Sequence, residues 1–290
     1  MAVLGVLAAL GVPTGAGAAV PAARSAAVAA PRVQQTAVTS VSAYWVVASD
    51  GGVFSYGGTP FYGSTGNIRL NKPVVAMEPT SPTDSGGYRL VASDGGIFSY
   101  GDAGFYGSTG NIRLNQPIVG MGTTSDGGGY WLVAADGGVF TFGDASFFGS
   151  MGGTHLNQPI VGMATTGDNR GYWLVASDGG IFAFGDAGFY GSTGALALNK
   201  PIVGMAATPD GQGYWLEASD GGIFAFGAAG FHGSTGDHAI NAPITGIQSS
   251  PTAQGYWLVS QDGGIFAFGD AQYYGSAGDM HLPDPTVAIS

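Results

Sequence analysis

This sequence predicts an all-β fold, a six-bladed β-propeller with four antiparallel strands per blade. Three observations predict it. First, one unit, written out by residues 171–201 as GYWLVASDGGIFAFGDAGFYGSTGALALNKP, recurs six times with drift. Its opening tyrosine falls at Tyr44, Tyr88, Tyr130, Tyr172, Tyr214 and Tyr256, at intervals of 44, 42, 42, 42 and 42 residues. A fixed period near 40 marks stacked or radial copies of one supersecondary unit. Second, each copy holds four short apolar runs rich in aromatic and β-branched residues, separated by Gly- and Asp-containing turns, which is the pattern of a propeller blade. Third, the first three runs are apolar on both faces, so the sheet they form must be covered on both sides. Neighbouring blades supply that cover.

In chain order, residues 1–18 read as an export signal. Residues 2–12 form an apolar core, and Ala16-Gly17-Ala18 fits a small-residue cleavage site. No Lys or Arg precedes that core, which departs from the usual export pattern. Residues 19–40, rich in Ala, Val, Pro and Gln, read as a disordered linker, and 41–290 as the propeller.

Within one copy, segment A (160–165, IVGMAT) is a short apolar strand followed by a polar turn. Segment B (172–177, YWLVAS) is aromatic and β-branched. Asp178-Gly179 predicts a tight hairpin with positive φ at both central residues. Segment C (180–184, GIFAF) follows, then a Gly-Asp-Ala turn, then segment D (188–192, GFYGS) as the fourth strand. Residues 285–290 align with the Pro-plus-A part of a copy and no segment B follows them. The first copy has B, C and D. Residues 286–290 are therefore expected to supply its A strand and close the ring; the alternative is that residues 36–42 fill that place.

The run GYWLVASDGGIFAFGDAGFYGS resembles repeats common in exported actinobacterial proteins, often found beside peptidase, glycosidase or cell-wall-hydrolase domains. The resemblance covers 44–290 and implies a propeller acting outside the cell. It covers the repeats alone, and the activities of such neighbouring domains are not carried over with it. The Asp-Gly-x-Phe turn is more distantly similar to turns in kelch and quinoprotein-type propellers, without the kelch double-Gly strand or a WD dipeptide. Choline-binding cell-wall repeats share a Trp, Tyr and Asp-Gly pattern, but their period is about half this one.

Charge narrows the partners. The net charge is −11, and because Arg24 and Arg32 precede every acidic residue the repeats alone carry about −13. Such a surface repels phosphate backbones, so nucleic acid is not an expected partner. Cysteine is absent. No later apolar run is long enough to span a bilayer. A monomer is expected, secreted or associated with the cell envelope.

Sameness between copies marks scaffold and difference marks specialisation. Asp50, Asp94, Asp136, Asp178, Asp220 and Asp262 open Asp-Gly-Gly turns. They read as structural turn residues accepting backbone N–H bonds, since one carboxylate per turn is too few for calcium. Asp102, Asp144, Asp186 and Asp270 in the C–D turns, with Asp84, Asp126, Asp168 and Asp210 in the A–B turns, should make one face acidic. The opposite face carries the B–C and D–A connections. There one position reads Arg69, Arg113, His155, Ala197, Ala239 and His281. Arg69, Arg113, His155 and His281 fall on contiguous blades and are the candidate ligand-binding residues, a hydrogen-bonding crescent for an acidic or sugar ligand.

The tryptophans Trp45, Trp131, Trp173, Trp215 and Trp257 read as packing residues; Arg89 takes the sixth place. Arg89 is expected either at an edge reaching water or paired with a carboxylate such as Glu78. Glu217 stands in a Val place of segment B, and His232 replaces a segment D tyrosine, read as an outer, wetter position. No catalytic constellation is apparent. The four histidines lack metal-ligand spacing, no nucleophile elbow is present, no helix follows the Gly-rich turns, and no cofactor or metal is expected. The expected function is a secreted, non-enzymatic binding module for an extracellular glycan or protein. The alternatives are a glycan-directed hydrolase or lyase using channel-facing carboxylates, and a purely structural envelope protein.

Overall fold

A computed structural model describes residues 43–81 and 84–290, with only the backbone of Asp84 and Ser85. The export signal, the linker and residues 36–42 lie outside the described residues. The strands are β1 (Tyr44–Ala48), β2 (Val53–Tyr56), β3 (Val74–Ser81), β4 (Asp84–Ala92), β5 (Ile97–Gly101), β6 (Ile118–Thr123), β7 (Gly129–Ala134), β8 (Val139–Gly143), β9 (Ile160–Thr165), β10 (Gly171–Ala176), β11 (Ile181–Gly185), β12 (Ile202–Ala207), β13 (Gly213–Ala218), β14 (Ile223–Gly227), β15 (Ile244–Ser249), β16 (Gly255–Ser260), β17 (Ile265–Gly269) and β18 (Thr286–Ile289). No helix occurs among the described residues, so none is long and apolar enough to cross a membrane.

The strands form six antiparallel sheets in a β-propeller arrangement: β18-β1-β2, β3-β4-β5, β6-β7-β8, β9-β10-β11, β12-β13-β14 and β15-β16-β17. In the fourth sheet Leu174 sits between Met163 and Phe182, and the other sheets repeat that register. The middle strand is the core: all six residues of β10 are buried. Every A strand carries a bulge near its start, as where Ile160 pairs with Ala176 but Gly162 with Val175. The extra residue turns the strand. Ile160 and Met163 then pack toward the preceding sheet, and Val161 and Ala164 toward the following one. One short strand thus serves two seams.

The A strands touch their neighbours in sequence, β3 to β6, β9, β12, β15 and β18, and β18 touches β3. Where they meet, a Cβ added at Gly120 would lie 3.6 Å from the Cα of Gly162, and one added at Gly246 would lie 3.3 Å from the Cα of Ala288. The first is an ordinary contact and the second a tight one, and at the equivalent positions Ala76 and Ala288 a methyl is already present. Small residues, Gly120, Gly162, Gly204 and Gly246 with Ala76 and Ala288, line the level where the A strands pass.

Two expectations are corrected. Each sheet has three strands, not four. The D segment is held by side chains instead of a strand ladder. Its own sheet's tryptophan donates Nε1–H to it, as Trp173 does to the Gly188 carbonyl at 2.7 Å. The next sheet's tyrosine clamps it from the other side, Tyr214 Oη donating to the Gly191 carbonyl at 2.6 Å and accepting from the Tyr190 N–H at 3.1 Å. All six seams share this tyrosine bond, at 2.5–2.7 Å. Gly191, with φ of 138°, bends the segment away from regular pairing. The second correction concerns the B–C hairpin. Only the glycine has positive φ, 77° at Gly179, and the Gly179 N–H donates to the Ala176 carbonyl at 2.7 Å. The loop is therefore a three-residue turn with a glycine bulge, the next commonest hairpin solution.

The chain-end seam matches the interior ones. Tyr44 Oη donates to the Gly275 carbonyl at 2.7 Å and accepts from the Tyr274 N–H at 3.0 Å. Its ring centroid lies 5.7 Å from that of Trp257, against 5.9 Å between Trp131 and Tyr172 at an interior seam.

Candidate functional site

Hydrogen bonds sort the connections into two faces. On one, the A–B and C–D turns meet, as where Thr166 Oγ1 donates to Asp186 at 3.2 Å and Ser250 Oγ to Asp270 at 2.8 Å. The acids of this face are engaged locally. The Thr252 hydroxyl, with that of Ser250, holds the Asp270 carboxyl below its usual range, and Thr208 with the Gln212 N–H does the same for Asp210. Asp270 bonds through both oxygens and Asp210 through Oδ1 alone.

On the opposite face the D–A connections sit over the B–C hairpins. Thr65, Thr109, Thr193 and Thr235 donate to the carbonyls of Asp50, Asp94, Asp178 and Asp220 at 2.9–3.2 Å. In each of the six hairpins the Asp Oδ1 accepts the N–H of the glycine two residues on, at 2.8–3.1 Å. That bond uses one carboxylate oxygen; no hydrogen bond to a described residue occupies the other. No group of three or more potential metal ligands occurs among the described residues.

Two clefts open on this face, each at a seam. One, of about 250 Å³, is bounded by Arg113 and Asn115 of one sheet's D–A connection and Asp136 and Phe140 of the next. The other, of about 410 Å³, is bounded by Asn199 and Lys200 on one side and Asp220, Phe224 and Phe231 on the other. They use equivalent positions two copies apart.

Arg69, Arg113, His155 and His281 are all exposed on this face, and none of the four side chains bonds to a described residue. Arg113 lines a cleft; the structure brings no two of them into contact. His281 has a φ of 47°, a left-handed backbone unusual for a residue with a side chain.

Sequence reasoning missed an outward-facing aromatic set. Phe61, Phe105, Phe147, Phe189, Phe231 and Tyr273, one per D segment, are 59–64% exposed. The signal lay in the alternation of GFYGS: the second aromatic turns into the seam, and so the first must turn out.

Three singular residues also stand out, and two of them, Arg89 and His232, depart from expectation. Arg89 neither reaches water nor meets Glu78. It is 0% exposed and held by three carbonyls: Nε donates to Gly104 at 2.8 Å, NH1 to Thr80 at 3.3 Å and NH2 to Gly127 at 2.9 Å. Its guanidinium also stacks over Tyr106 and Tyr130, 5.5 and 5.2 Å from their centroids. Glu217 is 0% exposed, and neither carboxyl oxygen has a partner. Burial pushes its carboxyl well above the usual range. Burial also pushes Glu78 up to about 8, although that residue keeps some contact with solvent. His232 is half-buried with Nε2 shut off from water and unpartnered, not at a wet edge.

No family model and no curated protein matches the chain. Among solved structures, the β-propeller domain of Cps50 (Swd1) from Myceliophteria thermophila is similar, with a TM-score of 0.46 and 9% identity over 72% of this chain and 71% of that one. The architecture stands on the strand pairing and the seams between sheets.

Proposed function

We propose that the chain is a secreted, non-enzymatic propeller module of the cell envelope that binds an extracellular glycan or protein on the face of the B–C and D–A connections. The observation that carries this reading is the two seam clefts, both on that face, one of them lined by Arg113, with Arg69, His155 and His281 exposed on the same face. The actinobacterial export and envelope setting rest on the sequence resemblance and the leader.

The test is retention of cell-envelope material by the immobilised full chain, scored beside release of reducing sugar. Binding without release, weakened at least threefold by Arg69→Ala/Arg113→Ala, is the expected result. Equal recovery by the double variant would remove the crescent from the reading, and sugar release would replace a binding module with a hydrolase.

We also propose that β18 seals a closed six-bladed ring. Support comes from its pairing with β1, its contact with β3 and the Tyr44–Gly275 bond. Deleting residues 285–290 should then abolish cooperative unfolding, because Tyr44–Ala48 loses its ladder partner and two seams lose their packing at once. A truncated chain that melts like the intact one would show the seal to be dispensable.

A further inference from the structure

We propose that the seams of the B–C/D–A face form a repeated series of subsites for uncharged sugar units, so that the module grips a neutral repeating polysaccharide at several points. This rests on the binding-module reading and adds to it the ligand's chemistry and the number of sites.

The two clefts fit one small unit each. At about 250 and 410 Å³, one lies below and the other in the lower part of the roughly 300–1,000 Å³ usual for ligand clefts. Their chemistry is shared. Asp136 and Asp220 each present the carboxylate oxygen their turn leaves over. Asn115 and Asn199 are exposed and offer both amide donor and carbonyl acceptor. Phe231, 62% exposed, places an aromatic face beside them in the larger cleft. A sugar ring has the complementary parts, with hydroxyls around its edge that both donate and accept and an apolar C–H face for an aromatic. Each cleft sets a cation beside its carboxylate, Arg113 with Asp136 and Lys200 with Asp220, so neither selects a charged unit over a neutral one, and the net charge of about −13 on the repeats disfavours a polyanion.

The repeat carries the rest. The Asn recurs as Asn71, Asn115, Asn157, Asn199 and Asn241, with Pro283 in the sixth place, while the Asp and the exposed aromatic occur in all six copies. Weak subsites at fixed spacing on one face gain from a ligand that repeats as well, since each unit bound raises the effective concentration of the next. A partner without repeats of its own gains nothing from such uniformity.

The experiment titrates the full chain with uncharged β-linked glucose and N-acetylglucosamine oligosaccharides of one to six units. Affinity is read by calorimetry, and the number of single units bound by NMR. Affinity rising at least tenfold from one unit to six, with more than one single unit bound per chain, is expected. Phe231→Ala should remove one equivalent and leave the others; replacing all six exposed aromatics by Ala should abolish binding. These side chains face solvent, so thermal melts of the variants serve as the check on folding. One equivalent per chain independent of length, or binding only to a protein or an anionic polymer, would overturn this inference and leave the binding-module reading intact. An envelope fraction that retains nothing would remove both.

Discussion

Arg89 and Glu217 are both fully buried charged-type residues in apolar places of a middle strand, one in β4 and the other in β13, yet their environments are opposite. Arg89 stands where the other sheets have Trp. That place already contains an acceptor, the carbonyl fifteen residues on, which takes the indole N–H in the other five sheets at 2.7–2.9 Å. The Arg89 Nε takes the same carbonyl at 2.8 Å, and its remaining nitrogens find Thr80 and Gly127. Glu217 stands where the other sheets have Val. That place lies beside the backbone at Gly204, whose added Cβ would lie 2.6 Å from Glu217 Oε1, and it supplies no hydrogen-bond partner to either carboxyl oxygen. What decides whether a polar residue is tolerated in this core is whether the apolar residue it replaces was itself making a hydrogen bond.

The comparison can be broken most forcefully at Arg89. Arg89→Ala strands three carbonyls and opens a cavity, so a loss of about 3 kcal/mol or more is expected in urea unfolding, at about 1 kcal/mol per carbonyl. Arg89→Trp restores the Gly104 bond and should lose clearly less. Equal losses for the two would mean that the shared carbonyl is not what matters.

A smaller effect of opposite sign is expected at Glu217. Glu217→Val replaces an unpartnered buried carboxyl with the residue of the other five sheets and should gain about 1–3 kcal/mol. The pH dependence sharpens the point. The folded carboxyl titrates above its unfolded value, so the protonated group is accommodated at low pH. Stability then falls as pH rises from about 4.3, where the unfolded chain ionises, toward the folded value. Glu78 adds the same sign up to about pH 8. Glu217→Val and Glu217→Gln should both shrink this slope without abolishing it. A slope unchanged in both would exclude Glu217 as its source.

These two residues also show where a sequence can and cannot be read. The six-fold period, the two faces and the buried tryptophans were legible, because repetition averages out local noise. Singular residues get no such help. The position of Arg89 suggested a carboxylate partner, whereas its partners are backbone carbonyls, which leave no trace in residue identity. The fourth strand was misread for a related reason. Segment D has a strand's composition, but its backbone groups are taken by Tyr and Trp side chains from two different sheets. Of the candidate site, the grouping of the B–C and D–A connections on one face was legible, while the clefts were not, since each is assembled from two neighbouring copies. The outward ring of Phe61, Phe105, Phe147, Phe189, Phe231 and Tyr273 could have been found from the in–out alternation of segment D.

The seam tyrosines bear on how such a chain changes over time. A gene made of near-identical units readily gains or loses one by unequal recombination. Every seam is made with the same tyrosine-to-carbonyl bond, Tyr44 to Gly275 included, so these bonds match any unit to any other. They hold neighbours together without telling one copy from the next, and leave the singular residues, such as Arg89, to give each seam its identity.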